Sequence, residues 1–446
     1  MSIPEAEYKG GTVTGQDRTL RIGVLGAGTV GTQVIRQLLE RQDELEQRIG
    51  GHYTISAVAV RSLDAPRDPA IPTALLTTDA QSVVDGADVV VELIGGIHPA
   101  RELIERALSA GKDVITGNKA LLSEYQTEIF ATGRRGGAET YYEAAVAAAI
   151  PIVRPLQDSL VGDKVNRVLG IINGSTNYIL DQIDTRGITM EQALTEAREL
   201  GYLEADPSAD VDGYDAASKI TILAGLAFHT HVPVESVYRE GIGAVTLEQM
   251  QAAQAAGYVI KLLGIAERLV EGEDESVNVR VYPALIPRSH PLAAVRGAKN
   301  AVFVEAQAAG DLMFYGAGAG GAATSSTVLS DIVLAAKRIL TGAPPQFITF
   351  EAHLPIAPIE RITARFQITM RVADRPGVLA KIAEVFAAQD VSVARMSQEQ
   401  AVEGASGATL IVVTHPATEG SLEQTVELLK NSDVVSEVVS VLRVEG

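Results

Sequence analysis

The chain has 446 residues, of which 46% are hydrophobic, and its net charge is -19. This length suits about three domains, and the apolar fraction is ordinary for a soluble globular protein. The negative charge argues against a nucleic-acid-binding protein, because contacts to phosphates need a basic surface. Cysteine is absent, which excludes disulfides, thiolate nucleophiles and cysteine-ligated zinc.

The N-terminal segment, MSIPEAEYKGGTVTGQDR, is polar and carries acids. It lacks the apolar core of a signal peptide. The longest apolar runs, such as Ala144 to Val153, are far too short to span a membrane. We therefore expect a soluble, cytoplasmic protein without a membrane or nucleic-acid partner.

Residues 19–150 alternate short apolar runs with helical segments. The strand-like runs include TLRIGVL, YTISAVAVR, ADVVVELIGG and KDVITGNKA. Such alternation is typical of a parallel sheet covered by helices on both faces. It predicts an N-terminal α/β domain of the Rossmann dinucleotide-binding type.

A glycine-rich turn follows the first strand and opens a helix. Gly26, Gly28 and Gly31, with Thr29 and Val30 between them, match the dinucleotide-binding fingerprint. The first glycine permits a tight turn, the second lets the backbone approach a pyrophosphate, and the third lets helix and strand pack closely. A glycine turn that serves packing alone is the alternative.

The end of the second strand bears on the choice of dinucleotide. Val60 is followed by Arg61, where NAD-specific folds usually carry an acid. A guanidinium can pair with a 2′-phosphate and stack on adenine. We therefore favour NADP(H). NAD(H) stays open as the alternative, because Asp64 lies nearby and because a solvated arginine at a strand end would give no preference for either dinucleotide.

Residues 151–340 mix helical and strand-like patterns and predict an α+β substrate and dimerisation domain. Its last helix follows a second glycine-rich stretch, YGAGAGGAA, and is expected to return to the nucleotide-binding domain. Residues 341–364 are rich in proline and predict a linker.

The segment GYLEADPSADVDGYDAASK, residues 201–219, contains five carboxylates and one lysine. Asp215 and Lys219 are four residues apart in a helical pattern and therefore share a face. A carboxylate can orient an ammonium that exchanges a proton with a substrate oxygen. An exposed ion pair of little energetic weight is the alternative, and the spacing misses the EF-hand calcium pattern.

The C-terminal part, residues 365–446, begins with the alternating strand RFQITMRVAD. A helix follows, in which we place Val378, Leu379, Ile382 and Phe386 on one face. The complete order of strand, helix, strand, strand, helix, strand is ferredoxin-like.

The stretch from Ala197 to Lys219 resembles the signature of homoserine dehydrogenases. The matching positions are Gly201, Tyr202, Asp206, Pro207, Asp210, Val211, Asp212, Gly213, Asp215 and Lys219. Leu203 departs from the pattern, standing where a small residue is usual, which we expect to alter packing rather than chemistry. The resemblance implies reversible, NAD(P)H-dependent reduction of L-aspartate 4-semialdehyde to L-homoserine in threonine, methionine and isoleucine biosynthesis.

Two other functions stay open as alternatives: a non-catalytic sensor of an amino acid and a dinucleotide, and a dehydrogenase for another amino-acid semialdehyde. Aspartate-semialdehyde dehydrogenase, by contrast, needs a thiolate nucleophile, and the chain has no cysteine.

The resemblance also implies roles for individual residues. Lys219 would act as acid and base on the substrate oxygen, and Glu204 and Asp215 would bind the amino acid beside it. Lys119, which follows a sheet strand in TGNKAL, would contact substrate and cofactor; a structural lysine at a helix N-terminus is the alternative. Two glycines would line the nicotinamide pocket, Gly201 and Gly321.

The stretch YEAAVAAAIP resembles the family's sodium-binding loop. Backbone oxygens at Glu143, Val146, Ala148 and Ile150 would bind Na+. Many relatives carry glycine at 147–149, and alanine restricts the backbone there. A buried hinge without an ion is the alternative.

The stretch ADRPGVLAKIAEVF resembles an ACT regulatory domain. Small amino acids would bind near the turn formed by Asp374, Arg375, Pro376 and Gly377, often across a dimer interface. On this catalytic core the module implies feedback inhibition by L-threonine in a homodimer or homotetramer. A module that serves dimerisation alone is the alternative.

Overall fold

The protein is described by a computed structural model that covers residues 18–400 and 407–446. Its described residues divide into two compact units. The first unit contains residues 18–149 and 320–348, and the second contains residues 150–319, 349–400 and 407–446. Within these described ranges, no helix combines the length and the apolar character that crossing a bilayer requires.

The strands and helices are numbered in chain order. The chain up to residue 149 contains β1 (Thr19–Leu25), α1 (Thr29–Glu40), α2 (Gln42–Ile49), β2 (His52–Ala59), β3 (Leu76–Thr77), α3 (Ala80–Gly86), β4 (Val89–Glu92), α4 (Ala100–Ser109), β5 (Asp113–Thr116), α5 (Lys119–Gly136) and β6 (Thr140–Tyr141). The middle of the chain contains β7 (Val165–Ile171), α6 (Gly174–Arg186), α7 (Met190–Glu199), α8 (Ser208–Val211), α9 (Tyr214–Phe228), β8 (Tyr238–Arg239), α10 (Leu247–Ala255), β9 (Tyr258–Glu271), β10 (Asp274–Pro287), β11 (Lys299–Ala306), β12 (Gly310–Ala317) and α11 (Gly321–Thr341). The last part contains β13 (Thr363–Val372), α12 (Val378–Ala388), β14 (Val393–Gln400), β15 (Ala408–Thr414), β16 (Ala417–Thr418), α13 (Glu419–Lys430) and β17 (Val435–Val444).

The first unit is built on a six-stranded sheet with the order β3-β2-β1-β4-β5-β6. All neighbouring strands are parallel, which confirms the predicted Rossmann fold. The order reverses between β1 and β4, so the carboxyl ends of these strands mark the place where such sheets bind ligands. The helical run after the fingerprint is divided into α1 and α2 at Arg41, whose backbone is not helical (φ -115°, ψ 28°).

Helix α11 belongs to the first unit, although it lies some 180 residues after the unit's other helices. It packs against α1 and α2. Arg338 fixes its last turns by donating two hydrogen bonds from Nη2 to Asp113, at 2.6 and 2.7 Å, and a third from Nε at 3.0 Å. Asp113 is fully buried. Burial raises the pKa of this carboxyl, and the hydrogen bonds from Arg338 offset part of that rise.

The second unit contains a sheet with the order β12-β11-β7-β9-β10-β17-β13-β15-β14. Its first five strands come from the middle of the chain and its last four from residues 363–446. The two halves join where β10 and β17 pair in parallel, with Ala284 opposite Arg443 and Leu285 opposite Val444. The C-terminal part therefore shares one hydrogen-bonded sheet with the middle region.

The C-terminal part has its own apolar core beneath β13, β15, α12 and α13. Its element order agrees with the predicted ferredoxin-like fold. One expectation was wrong: Leu379 is 45% exposed, whereas Val378, Ile382 and Phe386 are buried. The apolar stripe of α12 follows i, i+4 and i+8 from Val378, and Leu379 lies about 100° around the helix from its first member.

Buried charges accompany the junction of β10 with β17. Arg280 is 1% exposed and donates to Glu267 at 2.6 Å and to the Tyr282 hydroxyl at 2.8 Å. Tyr282 in turn donates to Glu445 at 2.5 Å, and Arg167 is also bonded to Glu445. Each charge is paired, as burial requires.

Arg338→Met should lower the free energy of unfolding by about 3–5 kcal/mol, because it leaves the Asp113 carboxylate buried without its partner. Urea unfolding of the whole chain, followed by circular dichroism, measures the change. Arg106→Met is the matched control, since Arg106 pairs with Asp85 at 2.7 Å where both side chains are about half exposed. We expect it to cost less than about 1 kcal/mol; equal costs for both variants would contradict this account of Arg338.

Candidate active site

Two of the three fingerprint glycines in the first unit are required by geometry. Gly26 has φ +104°, and a Cβ there would lie 2.8 Å from the Leu93 carbonyl oxygen. A Cβ on Gly31 would lie 2.1 Å from the Gly26 oxygen, so helix α1 approaches the turn as closely as backbones permit. A Cβ on Gly28, in contrast, would meet nothing within 4 Å. The first and third glycines shape the turn, and the second leaves open space beside it, as a dinucleotide-binding turn requires.

A cavity of about 590 Å³ opens at this turn. It is lined by Gly26, Gly28, Val60 and Arg61, together with a second arginine, Arg67. Arg67, which was not among the predicted site residues, lies in the irregular segment after β2 and donates to the Ser62 carbonyl at 2.7 Å. Asp64 is not among the residues that line the cavity. Two arginines therefore border the cavity, and the nearby carboxylate of Asp64 does not.

Lys119 is the first residue of α5, three residues after the carboxyl end of β5. Its side chain is exposed. The turn before it is tightly bonded: Thr116 donates to the fully buried Glu92 at 2.6 Å, and Asn118 caps α5 by accepting from Leu121 N at 3.1 Å. These bonds fix the backbone that carries Lys119 at the end of the sheet where ligands bind.

Gly321 begins α11 in the first unit and faces the fingerprint. A Cβ there would lie 2.9 Å from the Thr29 carbonyl oxygen and 3.0 Å from Thr29 Cγ2. The structure thus brings Gly321 beside the fingerprint turn. Gly201, with φ +74°, is exposed on the segment that follows α7 in the second unit.

Lys219 lies on α9 and is 8% exposed. Its Nζ donates to Asp215 Oδ2 at 2.6 Å and to the Ile172 carbonyl oxygen at 2.8 Å. Asp215 is 7% exposed, so this is a buried ion pair and the exposed-pair alternative is wrong. Ile172 directly follows β7, so the bond fixes the ammonium at the carboxyl end of that strand.

Asn173 connects the acid-rich segment, residues 201–219, to its own strand end beside this pair. Its Nδ2 donates to Asp215 Oδ2 at 2.9 Å and to Asp210 Oδ1 at 2.5 Å. Its Oδ1 accepts from Thr176 N at 2.8 Å and so caps α6. Asn173 was not among the predicted site residues, although an asparagine between an apolar strand and a helix is the usual signal of such a cap.

The rest of the acid-rich segment is more exposed. The Glu204 carboxylate is exposed and makes no hydrogen bond or ion pair with any residue that the structure describes. The preceding turn is held to α6, because Ser175 donates to the Tyr202 carbonyl at 2.6 Å and the rings of Tyr178 and Tyr202 lie 4.9 Å apart. Leu203 is buried. The structure therefore joins Asp215 to Lys219 directly and leaves Glu204 facing solvent.

The alanine-rich segment has unusual backbone angles. Ala147 and Ala148 have φ of 56° and 49°, a left-handed conformation that favours glycine. The Ala148 carbonyl accepts from Thr327 at 2.9 Å, and Glu143 N donates to Asp331 at 3.0 Å. Within residues 18–400 and 407–446, no group of three or more histidine or acidic side chains could hold a metal. Binding of Na+ by backbone carbonyls stays a prediction.

The turn before α12 in the C-terminal part is exposed. Gly377 has φ +91° and begins the helix. Arg375 lies 3.5 Å from Asp433, and Asp374 accepts a long hydrogen bond of 3.5 Å from Gln398. The amino-acid site expected at this turn stays a prediction.

Models of known protein families match three parts of the chain. The model described as homoserine dehydrogenase, NAD binding domain, matches residues 26–143. The model described as homoserine dehydrogenase matches residues 151–333, and that of the ACT domain matches residues 366–433.

Known proteins are similar over nearly the whole chain. The homoserine dehydrogenase of Corynebacterium glutamicum is 48% identical over 434 residues, which cover 97% of each chain. That of Mycobacterium tuberculosis is 47% identical over 438 residues, covering 97% of this chain and 99% of the relative. The crystal structure of a homoserine dehydrogenase from Thiobacillus denitrificans superposes with a TM-score of 0.89 at 38% identity, covering 96% of this chain and 99% of that one.

Asn173→Asp should keep the cap of α6, because an aspartate also accepts from Thr176 N, but it places a third carboxylate against Asp210 and Asp215. Lost hydrogen bonds to charged groups cost about 1.5–3 kcal/mol each, so we expect a destabilisation of at least about 2 kcal/mol by urea unfolding at pH 7. Asn173→Ser is the neutral comparison and should cost less. The difference between the two variants should shrink at acidic pH, where carboxylates gain protons; a constant difference would contradict the repulsion.

Proposed function

The chain belongs to the homoserine dehydrogenase family and is an NAD(P)-dependent oxidoreductase, and on that premise we propose which of its residues perform each part of the reaction. It interconverts L-homoserine and L-aspartate 4-semialdehyde in amino-acid biosynthesis. The single observation that carries the residue assignment is the buried pair of Lys219 with Asp215 at the carboxyl end of β7. A buried lysine beside a carboxylate is suited to exchange a proton with a substrate oxygen.

The fingerprint turn of the first unit fits the dinucleotide. Gly28 leaves its side free, and the N-terminus of α1 follows directly with its backbone N–H groups, an arrangement that binds phosphates. The turn at Gly26 and Gly31, with Val60 and Arg61 beside it, would hold the cofactor, and Lys119 and Gly321 would border its reactive end. When bound, the dinucleotide supplies the hydride for reduction or takes it up in oxidation.

Lys219 would move the proton. In the reducing direction its ammonium donates a proton to the aldehyde oxygen of the substrate, and in the oxidising direction its amine removes the hydroxyl proton. Asp215 keeps the ammonium oriented through the 2.6 Å hydrogen bond, which is worth more in a buried site than in water. Glu204, exposed and without a partner among the described residues, is suited to bind the substrate ammonium.

Lys219→Met should reduce kcat for L-homoserine oxidation by at least about 100-fold, the usual contribution of a positioned acid or base. NADPH binding, measured by its fluorescence, should stay within about twofold because the fingerprint turn is unchanged. Lys337→Met, which removes an exposed lysine of α11, is the control and should keep full activity. Wild-type kcat in Lys219→Met would exclude this assignment of the proton-transfer residue.

We propose NADP(H) as the preferred cofactor. Arg61 and Arg67 border the cavity at the fingerprint turn, and Asp64 does not. Two guanidinium groups can pair with a 2′-phosphate, whereas the ribose hydroxyl of NAD calls for an acid. NAD(H) would then bind without those charge-assisted hydrogen bonds.

Arg61→Ala and Arg67→Ala should each raise KM for NADP+ by about tenfold or more, the usual effect of losing a charge-assisted hydrogen bond. KM for NAD+ should change far less, because NAD+ has no 2′-phosphate. Initial rates of L-homoserine oxidation with both dinucleotides provide the comparison. Arg48→Ala, which removes a 59% exposed arginine of α2, is the control. Equal changes in both KM values would contradict the proposed preference.

The C-terminal ACT domain supports an amino-acid effector, and we propose L-threonine, acting in a homodimer or homotetramer.

We also propose a cytoplasmic enzyme, because both the substrate and the dinucleotide are small water-soluble molecules. Ala147 and Ala148 adopt a left-handed backbone conformation outside regular secondary structure, which supports Na+ as the ion for this loop. Deleting the ACT domain would not test the effector cleanly, since β17 is a strand of the shared sheet and Glu445 is buried in it.

L-Threonine should inhibit L-homoserine oxidation by the wild-type enzyme, and Asp374→Ala with Arg375→Ala should weaken that inhibition by about fivefold or more, the range of typical coupling energies. Both side chains are exposed, so basal activity should be retained. Lys430→Ala, which removes an exposed lysine of α13, serves as the control. No inhibition of the wild type would reject L-threonine as the effector.

A further inference from the structure

Residues 238–242 lie between the ACT domain and the acid-rich segment. The strand β8 pairs with β10, with Tyr238 opposite Arg280 and Arg239 opposite Val281. Glu240 continues the pairing by donating from its N–H to the Val281 carbonyl at 2.8 Å. Alternate side chains of an extended segment point to opposite sides, so residues 238 and 240 share one side and residues 239 and 241 share the other.

One side of this segment contacts the acid-rich segment. Arg239 Nη1 donates to the Asp212 carbonyl at 2.5 Å, and its guanidinium lies 3.4 Å from the centre of the Tyr214 ring. Between these two residues lies Gly213, with φ +81°, which begins the helix that carries Asp215 and Lys219. One arginine therefore contacts the backbone before the turn into α9 and a side chain after it.

Gly241 and Ile242 reinforce this contact. Ile242 N donates to the Val211 carbonyl at 2.8 Å. A Cβ on Gly241 would lie 2.4 Å from the same oxygen and 2.6 Å from Asp212 Cα. The two backbones thus touch, and a displacement of the segment would be transmitted directly to the turn.

The opposite side of the segment contacts the ACT domain. Glu240 accepts from Arg443 Nη1 at 2.6 Å and is also bonded to the Tyr238 hydroxyl. Arg443 belongs to β17 and is 8% exposed. Its remaining donors bind Glu419 of α13 in a bidentate pair, at 2.7 and 3.1 Å. The ACT domain therefore contacts one side of residues 238–242. The other side of the same residues contacts the turn around Gly213 in the acid-rich segment.

We propose that Arg239 is a positioning residue for the turn that leads into Asp215 and Lys219, and that Arg443 of the ACT domain maintains it through Glu240. This inference rests on the proposed function, because that turn matters only if Asp215 and Lys219 serve the substrate. Arg239 touches neither substrate nor cofactor in this account. Its effect is on the binding of L-homoserine, through the backbone at Asp212 and Gly213.

The test uses the full-length enzyme and steady-state oxidation of L-homoserine with NADP+. Arg239→Met keeps much of the aliphatic packing and removes the hydrogen bond and the cation–π contact. We expect KM for L-homoserine to rise by about tenfold, as the loss of a charged hydrogen bond implies. The KM for NADP+ should stay close to wild type, and the melting temperature should fall by only a few degrees, because the Arg239 contact with Asp212 is exposed and the chain is long. Arg239→Lys keeps the charge and should recover part of the loss.

Glu240→Gln tests the connection to the ACT domain, because it keeps the shape and a hydrogen-bond acceptor but loses the charge that attracts Arg443. It should raise KM for L-homoserine by a smaller factor. The double variant with Arg239→Met should be no worse than Arg239→Met alone, since both act through one contact. If the KM increases of the two single variants multiply in the double variant, the proposed connection from Arg443 through Glu240 to Arg239 is wrong. An unchanged KM for L-homoserine in a folded Arg239→Met enzyme would overturn the positioning role of Arg239.

Arg371→Met is the matched control. Like Arg443, Arg371 is an arginine of the ACT sheet that reaches the middle region, where it lies 3.6 Å from Glu248 of α10. Unlike Arg443, it is 54% exposed and forms no hydrogen bond or ion pair with residues 238–242. It should leave KM unchanged. If Arg239→Met fails to fold, Gly241→Ala displaces the same backbone and should raise the same KM. Failure of the proposed function would appear separately, as activity retained by Lys219→Met.

Discussion

The acid-rich segment and the helices around it are organised by one buried ion pair, Lys219 with Asp215. Lys219 is only 8% exposed, and an unpaired charge in such a place would cost several kcal/mol. Asp215 on the same helix and the Ile172 carbonyl at the end of β7 accept hydrogen bonds from Lys219, and Asn173 in turn donates a hydrogen bond to Asp215. The hydrogen bonds around the Lys219 ammonium therefore connect the end of β7, the starts of α6 and α9, and the acid-rich segment at Asp210.

The cofactor side is organised by a different principle. There the requirement is close approach of backbones, which the contacts at Gly26 and Gly31 demonstrate, and charge enters only at the edge of the cavity through Arg61 and Arg67. The unit that holds this turn is made from two separate stretches of chain. Helix α11 completes it, and the buried pair of Arg338 with Asp113 compensates for the burial of both charges.

The ACT domain is structurally part of the catalytic region rather than an appendage. Its last strand extends the central sheet through the pairing with β10, and Arg443 reaches the segment that supports the acid-rich turn. Any rearrangement of β17 or α13 would have to disturb a buried, fully paired ionic group. Packed and charge-paired interfaces of this kind change between discrete arrangements rather than deforming gradually.

The sequence by itself determined the local structure, the dinucleotide fingerprint and, through one dense motif, the family and its reaction. These are encoded over short distances: alternation of apolar residues, glycines at fixed spacing, and an acid four residues before a lysine. It also placed Asp215 and Lys219 on one face but could not decide whether the pair was exposed, because burial depends on what packs over a helix. The error at Leu379 is local instead, because this residue lies about 100° around α12 from Val378 and so off the buried stripe of that helix.

Only the tertiary structure decided which distant residues surround these motifs. Arg67 borders the cofactor cavity because the loop after β2 folds back, and Asn173 bonds to an aspartate 42 residues later. Arg239 reaches Asp212 only because β8 adds to the edge of a strand that lies further along the chain. Contacts between residues far apart in sequence follow from the packing of whole elements, and no local period in the sequence encodes them.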